Sequence, residues 1–251
     1  PLPVTAGDSI TMDSGQLVES IELVSRAVAK DDMRPFTKAV RVIVSDQGLS
    51  MVATDSYRMA VQEVELETKT SGEIDRNVPA EALRELTKVI ASTGAEVVKM
   101  ASGDREVVFE AEGVVLTTTT IEGQFPNYEQ VFPEEWTHDV RLPREELLES
   151  VRRVGKMAIN NRPLKLSFSE GELTISASTP DLGDAEEKIP TAWSGEEMSI
   201  GFKPEFFREG IEAIKGGEVV LRLISPLRPG LIQAVDSESF RYLIMPNPLE
   251  D

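Results

Sequence analysis

Apolar residues recur along the chain with two spacings, one typical of helices and one typical of strands. Leu17, Ile21, Val24 and Val28 fall on a single helix face, because residues three or four apart are neighbours on a helix. The same reasoning, with prolines at or near three of the helix starts, predicts four helices over residues 13–31, 79–91, 143–158 and 203–216.

Shorter segments alternate apolar with polar residues, which is the pattern of a half-buried strand. The predicted strands are 39–44, 49–53, 59–67, 96–100, 107–110 and 114–120, followed by 218–224, 231–235 and 242–245. Alternating strands interspersed with amphipathic helices predict an α+β fold, in which antiparallel sheets carry helices on one face.

The second half of the chain repeats the first. Leu147–Ser150 echoes Leu17–Ser20, and Pro204 follows Pro79 at an offset of 125 residues. A single duplication of this length predicts two copies of one domain rather than a solenoid. We place the domains at 1–133 and 134–251, with a connector at about 122–133 that is rich in prolines and aromatic residues.

Composition fits two soluble domains. The chain has 251 residues, of which 40% are hydrophobic and 28% are charged. It contains no cysteine, which excludes disulfides and thiolate metal sites and fits a reducing cytosol. No apolar run approaches the roughly 18 residues of a membrane span, and the N-terminus does not read as a signal peptide.

The net charge of −18 is unevenly distributed. The four predicted helices carry 11 basic and 12 acidic residues, so a net charge of −17 lies outside them. Some of the basic residues follow from the preference of cations for helix C-termini. The same distribution fits helices that share one face against a polyanion, with acidic sheets outside.

Signals for catalysis are weak. His138 is the only histidine, so no triad can be assembled around it with confidence, and no glycine-rich phosphate loop is present. We therefore predict a protein that is not an enzyme and has neither a cofactor nor a metal. The alternative from another class is an acidic hydrolase with an Asp/Glu metal site.

Three motifs in the same order resemble the bacterial DNA sliding clamp, the β subunit of DNA polymerase III. Residues 53–60 read Ala-Thr-Asp-Ser-Tyr-Arg-Met-Ala, where that family carries Ala-Thr-Asp-Gly-His-Arg-Leu-Ala or near variants. Phe125-Pro126-Asn127-Tyr128 resembles the connector between the family's second and third domains. Residues 242–246, Tyr-Leu-Ile-Met-Pro, resemble its Tyr-Val-Val-Met-Pro terminus.

The resemblance covers two of the family's three domains. Pro1-Leu2-Pro3 resembles the end of the connector after the first domain, so we expect domains 2 and 3 without domain 1. The resemblance implies a processivity factor in the bacterial cytoplasm, a ring that encircles duplex DNA without reading its sequence. The residues that would face DNA are Arg26, Lys30, Arg84, Lys88, Arg152, Arg153 and Lys215.

The family binds its polymerase, clamp loader and other partners through a Gln-Leu-x-Leu-Phe-like motif, in a pocket between its second and third domains. Carried over to this sequence, the wall from domain 2 is Thr37, Thr54, Ser56, Tyr57, Arg58, Met59, Pro126 and Val131. The wall from domain 3 is Lys203, Phe206, Leu227, Pro229, Leu243, Ile244, Met245, Pro246 and, as a further candidate, Asn247.

This sequence departs from the family pattern at three places. Thr37 stands where the pocket has a leucine, Lys156 stands where the subunit interface has an apolar residue, and the chain continues beyond Pro246 as Asn-Pro-Leu-Glu-Asp. Because an unpaired ammonium is costly to bury, we expect a monomer. The alternative within the clamp class is a two-domain subunit of the archaeal or eukaryotic type, which forms trimeric rings.

Overall fold

The computed structural model of the protein describes residues 9–30, 34–66 and 73–249. The chain divides into two units, Pro1–Asn127 and Tyr128–Asp251. The division precedes the predicted boundary at residue 133, because residues 128–133 pack with the second unit. There the Arg241 guanidinium lies 5.0 Å from the centre of the Phe132 ring. The predicted helix end at Asp31, the strand end at Glu67 and the Pro1–Pro3 motif lie outside the described residues.

Within its described residues, the first unit has eight strands and two α-helices. In chain order they are β1 Ile10–Asp13, α1 Ser14–Val24, β2 Ala39–Ser45, β3 Gly48–Thr54, β4 Arg58–Val64, β5 Ile74–Pro79, α2 Ala80–Thr93, β6 Val97–Ser102, β7 Glu106–Ala111 and β8 Val114–Thr119. The strands form two antiparallel groups, with neighbours in the orders β5-β2-β3-β4 and β1-β6-β7-β8.

The second unit has the same succession of elements. They are β9 His138–Pro143, α3 Arg144–Val154, β10 Leu164–Ser169, β11 Glu172–Thr179, β12 Gly183–Pro190, β13 Met198–Phe202, α4 Pro204–Ala213, β14 Glu218–Leu223, β15 Gly230–Ala234 and β16 Phe240–Ile244. Their antiparallel orders are β13-β10-β11-β12 and β9-β14-β15-β16. Each strand therefore occupies the position of its counterpart eight strands earlier, and the predicted α+β fold with a duplicated domain is confirmed.

Two local features differ from the predicted helices. Pro79 and Pro143 are the last residues of strands and occupy the cap position before α2 and α3, and only Pro204 is within the first turn of its helix. Three helices end earlier than predicted: α1 at Val24, α3 at Val154 and α4 at Ala213, and one 3-10 turn follows α1 over Ser25–Ala27. Val28 is buried as expected, but its backbone is already extended.

The cores form where the helices pack against the strands. Leu17, Ile21 and Val24 of α1 are buried, which confirms the helix face read from their spacing. In the second unit Gly210 allows α4 to approach the sheet, because a Cβ atom there would lie 2.6 Å from Cδ1 of the buried Tyr242. Within the described residues, no helix is both long enough and apolar enough to cross a membrane.

Candidate functional site

The turn between β3 and β4 is built around Asp55. Its carboxylate accepts hydrogen bonds from the backbone N–H groups of Tyr57 and Arg58, at 2.9 and 3.0 Å, and from Arg58 Nε at 3.0 Å. Thr54 Oγ1 donates to the Arg58 carbonyl at 2.7 Å and accepts from the Ser56 N–H at 3.0 Å. These bonds fix the turn, and the buried Thr54 and Arg58 support it rather than forming its surface.

Ser56 and Tyr57 form the exposed tip of this turn. Ser56 has φ of 76°, a left-handed conformation that side chains other than glycine adopt at a cost. Arg34 Nη1 donates to Ser56 Oγ at 2.9 Å, which ties the tip to the start of the 3-10 turn Pro35–Lys38. The Tyr57 side chain is 63% exposed, so it presents an aromatic ring to solvent.

The other predicted residues of the first unit lie below or beside the tip. Thr37 is fully buried, with Oγ1 donating to the Arg34 carbonyl at 2.7 Å, and Met59 is buried in β4. Pro126 is half-buried and follows Phe125, whose ring packs edge-on against Phe36. The hydroxyl that replaces the expected leucine is thus satisfied internally and is not on the surface.

In the second unit, most of the predicted residues lie in or directly beside α4 and the end of β16. Lys203 caps α4 and places Nζ 4.3 Å from the centre of the Phe206 ring. The Phe206 carbonyl accepts a hydrogen bond from the buried Tyr242 hydroxyl at 3.0 Å, which joins the start of α4 to β16. This contact brings Phe206 to the strand that leads directly into Met245.

The predicted peptide-binding residues of the second unit fall into an exposed group and a buried group. Leu227 is 84% exposed and Met245 is 40% exposed, whereas Leu243 and Ile244 are buried. The exposed or half-buried members are Lys203, Phe206, Leu227, Pro229, Met245, Pro246 and Asn247, together with Val131, which was predicted for the domain 2 wall but falls in the second unit. Leu243 and Ile244 can support a ligand surface from within but contribute little area to one.

The predicted DNA-facing residues are spread over both units. Arg84 and Lys88 lie on α2, and Arg152 and Arg153 on α3. Arg26 is in the 3-10 turn after α1, while Lys30 and Lys215 follow their helices as exposed residues. Lys88 Nζ pairs with Glu85 Oε1 at 2.6 Å within its own helix.

Arg152 and Arg153, near the C-terminal end of α3, have carboxylate partners that sequence reasoning missed. Arg152 pairs with Glu149 and Glu212, and Arg153 binds Glu187 of β12 through two hydrogen bonds of 2.6 and 2.7 Å. The Arg153 guanidinium lowers the pKa of Glu187 to about 2. The spacing of Glu149 and Arg152 is a local signal for their pair, but no local signal identifies Glu212 on α4 or Glu187 on β12.

The single histidine is part of an aromatic stack. The His138 ring lies 4.3 Å from the Trp193 ring, which in turn stacks on Phe168 at 4.7 Å. Across the stretches 9–30, 34–66 and 73–249, no three His, Cys, Asp or Glu side chains are arranged to hold a metal ion.

Comparison with known proteins gives a consistent result. Residues 11–127 match the DNA polymerase III beta subunit, central domain, and residues 129–248 match the same subunit's C-terminal domain. The beta sliding clamps of Streptomyces coelicolor and Synechococcus elongatus are 30% and 28% identical, over 94% and 97% of this chain. The chain spans only 65% and 66% of the length of these two relatives.

The fold agrees with these matches. The DNA polymerase sliding clamp of Bacillus subtilis superimposes with a TM-score of 0.92 at 25% identity, over 100% of this chain and 67% of that one. The two matched domains are consecutive and in the order that the sequence motifs predict.

Proposed function

The chain belongs to the DNA polymerase III beta subunit family, and on that premise we propose that it works as a processivity factor in bacterial DNA replication. In this proposal its two domains, which we expect to be monomeric by themselves, belong to a ring around duplex DNA in the cytoplasm. They hold replication proteins through a peptide motif and catalyse no reaction. The matches favour the bacterial type of clamp over the archaeal and eukaryotic type and over a hydrolase.

The proposal that the chain binds a peptide motif rests on which apolar residues are exposed. Nine large apolar side chains are exposed within the described residues, and four of them are in the predicted partner-binding set: Tyr57, Val131, Leu227 and Met245. Exposed aromatic and methionine side chains suit an adaptable contact with the leucine and phenylalanine side chains of an extended peptide. The buried members of the set provide a fixed base for these contacts.

The DNA-binding part depends on charge. The four segments predicted as helices carry a net charge of only −1, while the rest of the chain carries −17, so duplex DNA meets least repulsion along these segments. The ion pairs of Arg152 and Arg153 reduce the positive charge that α3 offers to phosphate. We therefore propose weak contacts that do not depend on DNA sequence, with retention on DNA supplied by encirclement.

A labelled Gln-Leu-Ser-Leu-Phe peptide tests the partner-binding residues by fluorescence polarisation. We expect micromolar binding that Tyr57→Ala and Met245→Ala each weaken by about 1–3 kcal/mol, as truncation of a central apolar contact does. Val97→Ala is the matched control, because Val97 is 47% exposed but lies in β6, outside the proposed set. Unchanged affinity in both test variants would remove the support for this set.

A further inference from the structure

A cleft of about 660 Å³ lies in the second unit, where the end of α3 meets the start of α4. The two helices are close there, since a Cβ atom on Gly155 would be 3.4 Å from Cβ of Pro204. The 3-10 turn Gly155–Met157 and residues Ala158, Asn161 and Arg162 complete the wall. The cleft is therefore formed entirely by elements of one domain.

Its lining is cationic in a chain that is strongly anionic. The charged lining residues are Arg152, Arg153, Lys156, Arg162, Lys203 and Arg208 against Glu149 and Glu205. Glu187 and Glu212 pair with the α3 arginines from outside the lining. Even with these two carboxylates counted, the cations are in excess, and this cluster contrasts with the chain's net charge of −18.

The cleft shares one residue with the second unit's part of the proposed peptide-binding set. Lys203 belongs to both, and its ammonium lies over the ring of Phe206, which is in that set. A peptide that contacts Phe206 therefore has a cationic cleft next to its binding surface.

We propose that this cleft binds acidic side chains that flank the apolar motif of a partner peptide. The inference rests on the proposed function and adds a second, electrostatic contact to it. Charge complementarity selects carboxylates, and the volume is sufficient for a few side chains but not for a duplex. The adjoining Phe206, which belongs to the proposed peptide-binding set, favours a peptide as the source of these carboxylates.

Paired peptides provide the test. Gln-Leu-Ser-Leu-Phe is extended at either end with Asp-Asp-Asp or, as the neutral control, with Asn-Asn-Asn, and binding to the full chain is measured by fluorescence polarisation. With the extension at one or both ends, we expect the acidic peptide to bind about tenfold more tightly than the neutral control at low salt. This is the effect of two or three partly exposed ion pairs. The advantage should largely disappear at about 0.5 M salt because of screening.

Charge-neutralising variants locate the contact. Lys156→Gln together with Arg208→Gln should reduce the advantage to less than about threefold while leaving the neutral peptide's affinity unchanged. Lys165→Gln is the matched control, since Lys165 is an exposed lysine of the same unit in β10, outside the cleft. Circular dichroism melting of each variant confirms that the fold is retained.

The outcomes separate this inference from the proposed function. Equal binding of the acidic and neutral peptides overturns the inference and leaves the proposed function standing, whereas failure of both peptides overturns both. A thymidine hexanucleotide that displaces the acidic peptide more effectively than free Asp-Asp-Asp would assign the cleft to nucleic acid. Self-association in light scattering that Lys156→Gln abolishes would assign it to a second copy. Either result contradicts an acidic peptide as the occupant.

Discussion

The left-handed backbone at Ser56 predicts that glycine is more stabilising than alanine at this position, the reverse of the usual order. At an ordinary position, alanine stabilises a protein relative to glycine by about 0.4–1 kcal/mol, because glycine adds freedom to the unfolded chain. At Ser56, φ is 76°, where a Cβ atom costs about 1–2 kcal/mol. We therefore expect Ser56→Gly to be more stable than Ser56→Ala by roughly 1 kcal/mol, the difference between these two effects.

Both substitutions remove the serine hydroxyl, so the lost hydrogen bond from Arg34 cancels in the comparison. The free energy of unfolding is measured by urea titration followed by far-UV circular dichroism. Ser92 in α2 is the matched control, because it is exposed in the same unit on helical backbone. There alanine should be more stable than glycine by up to about 1 kcal/mol. If alanine were equal to or better than glycine at residue 56 as well, the strain assigned to this turn would be refuted.

Three further predictions concern packing, pH and DNA. Gly210→Ala should destabilise the second unit by about 1–3 kcal/mol through overpacking against Tyr242, and tryptophan-monitored urea unfolding should show no comparable loss for Gly217→Ala, whose Cβ would enter open space. Because the pKa of Glu187 is lowered from 4.5 to about 2, its ion pair stabilises the fold above pH 4.5 and loses this effect as the pH falls towards 2. The stability difference between the native chain and Glu187→Gln should therefore shrink over that interval, and a difference that is constant from pH 6 to pH 3 would contradict the pairing. Affinity for a short linear duplex should be weak and should fall further with added salt in an electrophoretic shift assay, whereas tight, salt-resistant binding to open DNA would argue against encirclement.

The duplicated fold could be predicted because it depends on patterns that are local and repeated. Helix faces such as Leu17, Ile21 and Val24 need only a spacing of three or four residues, and their burial follows from it. Strands were harder to identify where the exposed side is strongly polar. In β12, the exposed Asp184 and Glu186 alternate with residues that are only half-buried, so the apolar signal of a strand is nearly absent. That strand is held by its register with β11, which a sequence pattern does not reveal.

In the candidate site, too, contacts between residues distant in sequence could not be predicted. The resemblance identifies the turn at residues 53–60, and the structure supplies a physical reason for the family's glycine there, since the corresponding Ser56 has positive φ. The resemblance cannot show that Arg34, 22 residues earlier, holds that serine, or that Thr37 is buried with its hydroxyl satisfied.

Long-range ion pairs lie beyond this kind of reasoning altogether. Arg152 and Arg153 look equivalent as cations at a helix C-terminus, yet one pairs with Glu212 on α4 and the other with Glu187 on β12. Because each guanidinium pairs with a carboxylate of a different element, the two arginines connect α3 to both α4 and β12. These carboxylates largely balance the charge of the arginines. The cationic lining of the cleft therefore combines residues from different parts of the sequence, including Lys156 after α3, Lys203 before α4 and Arg208 within α4. A basic site in an acidic protein is visible only once the fold has brought these residues to the same wall.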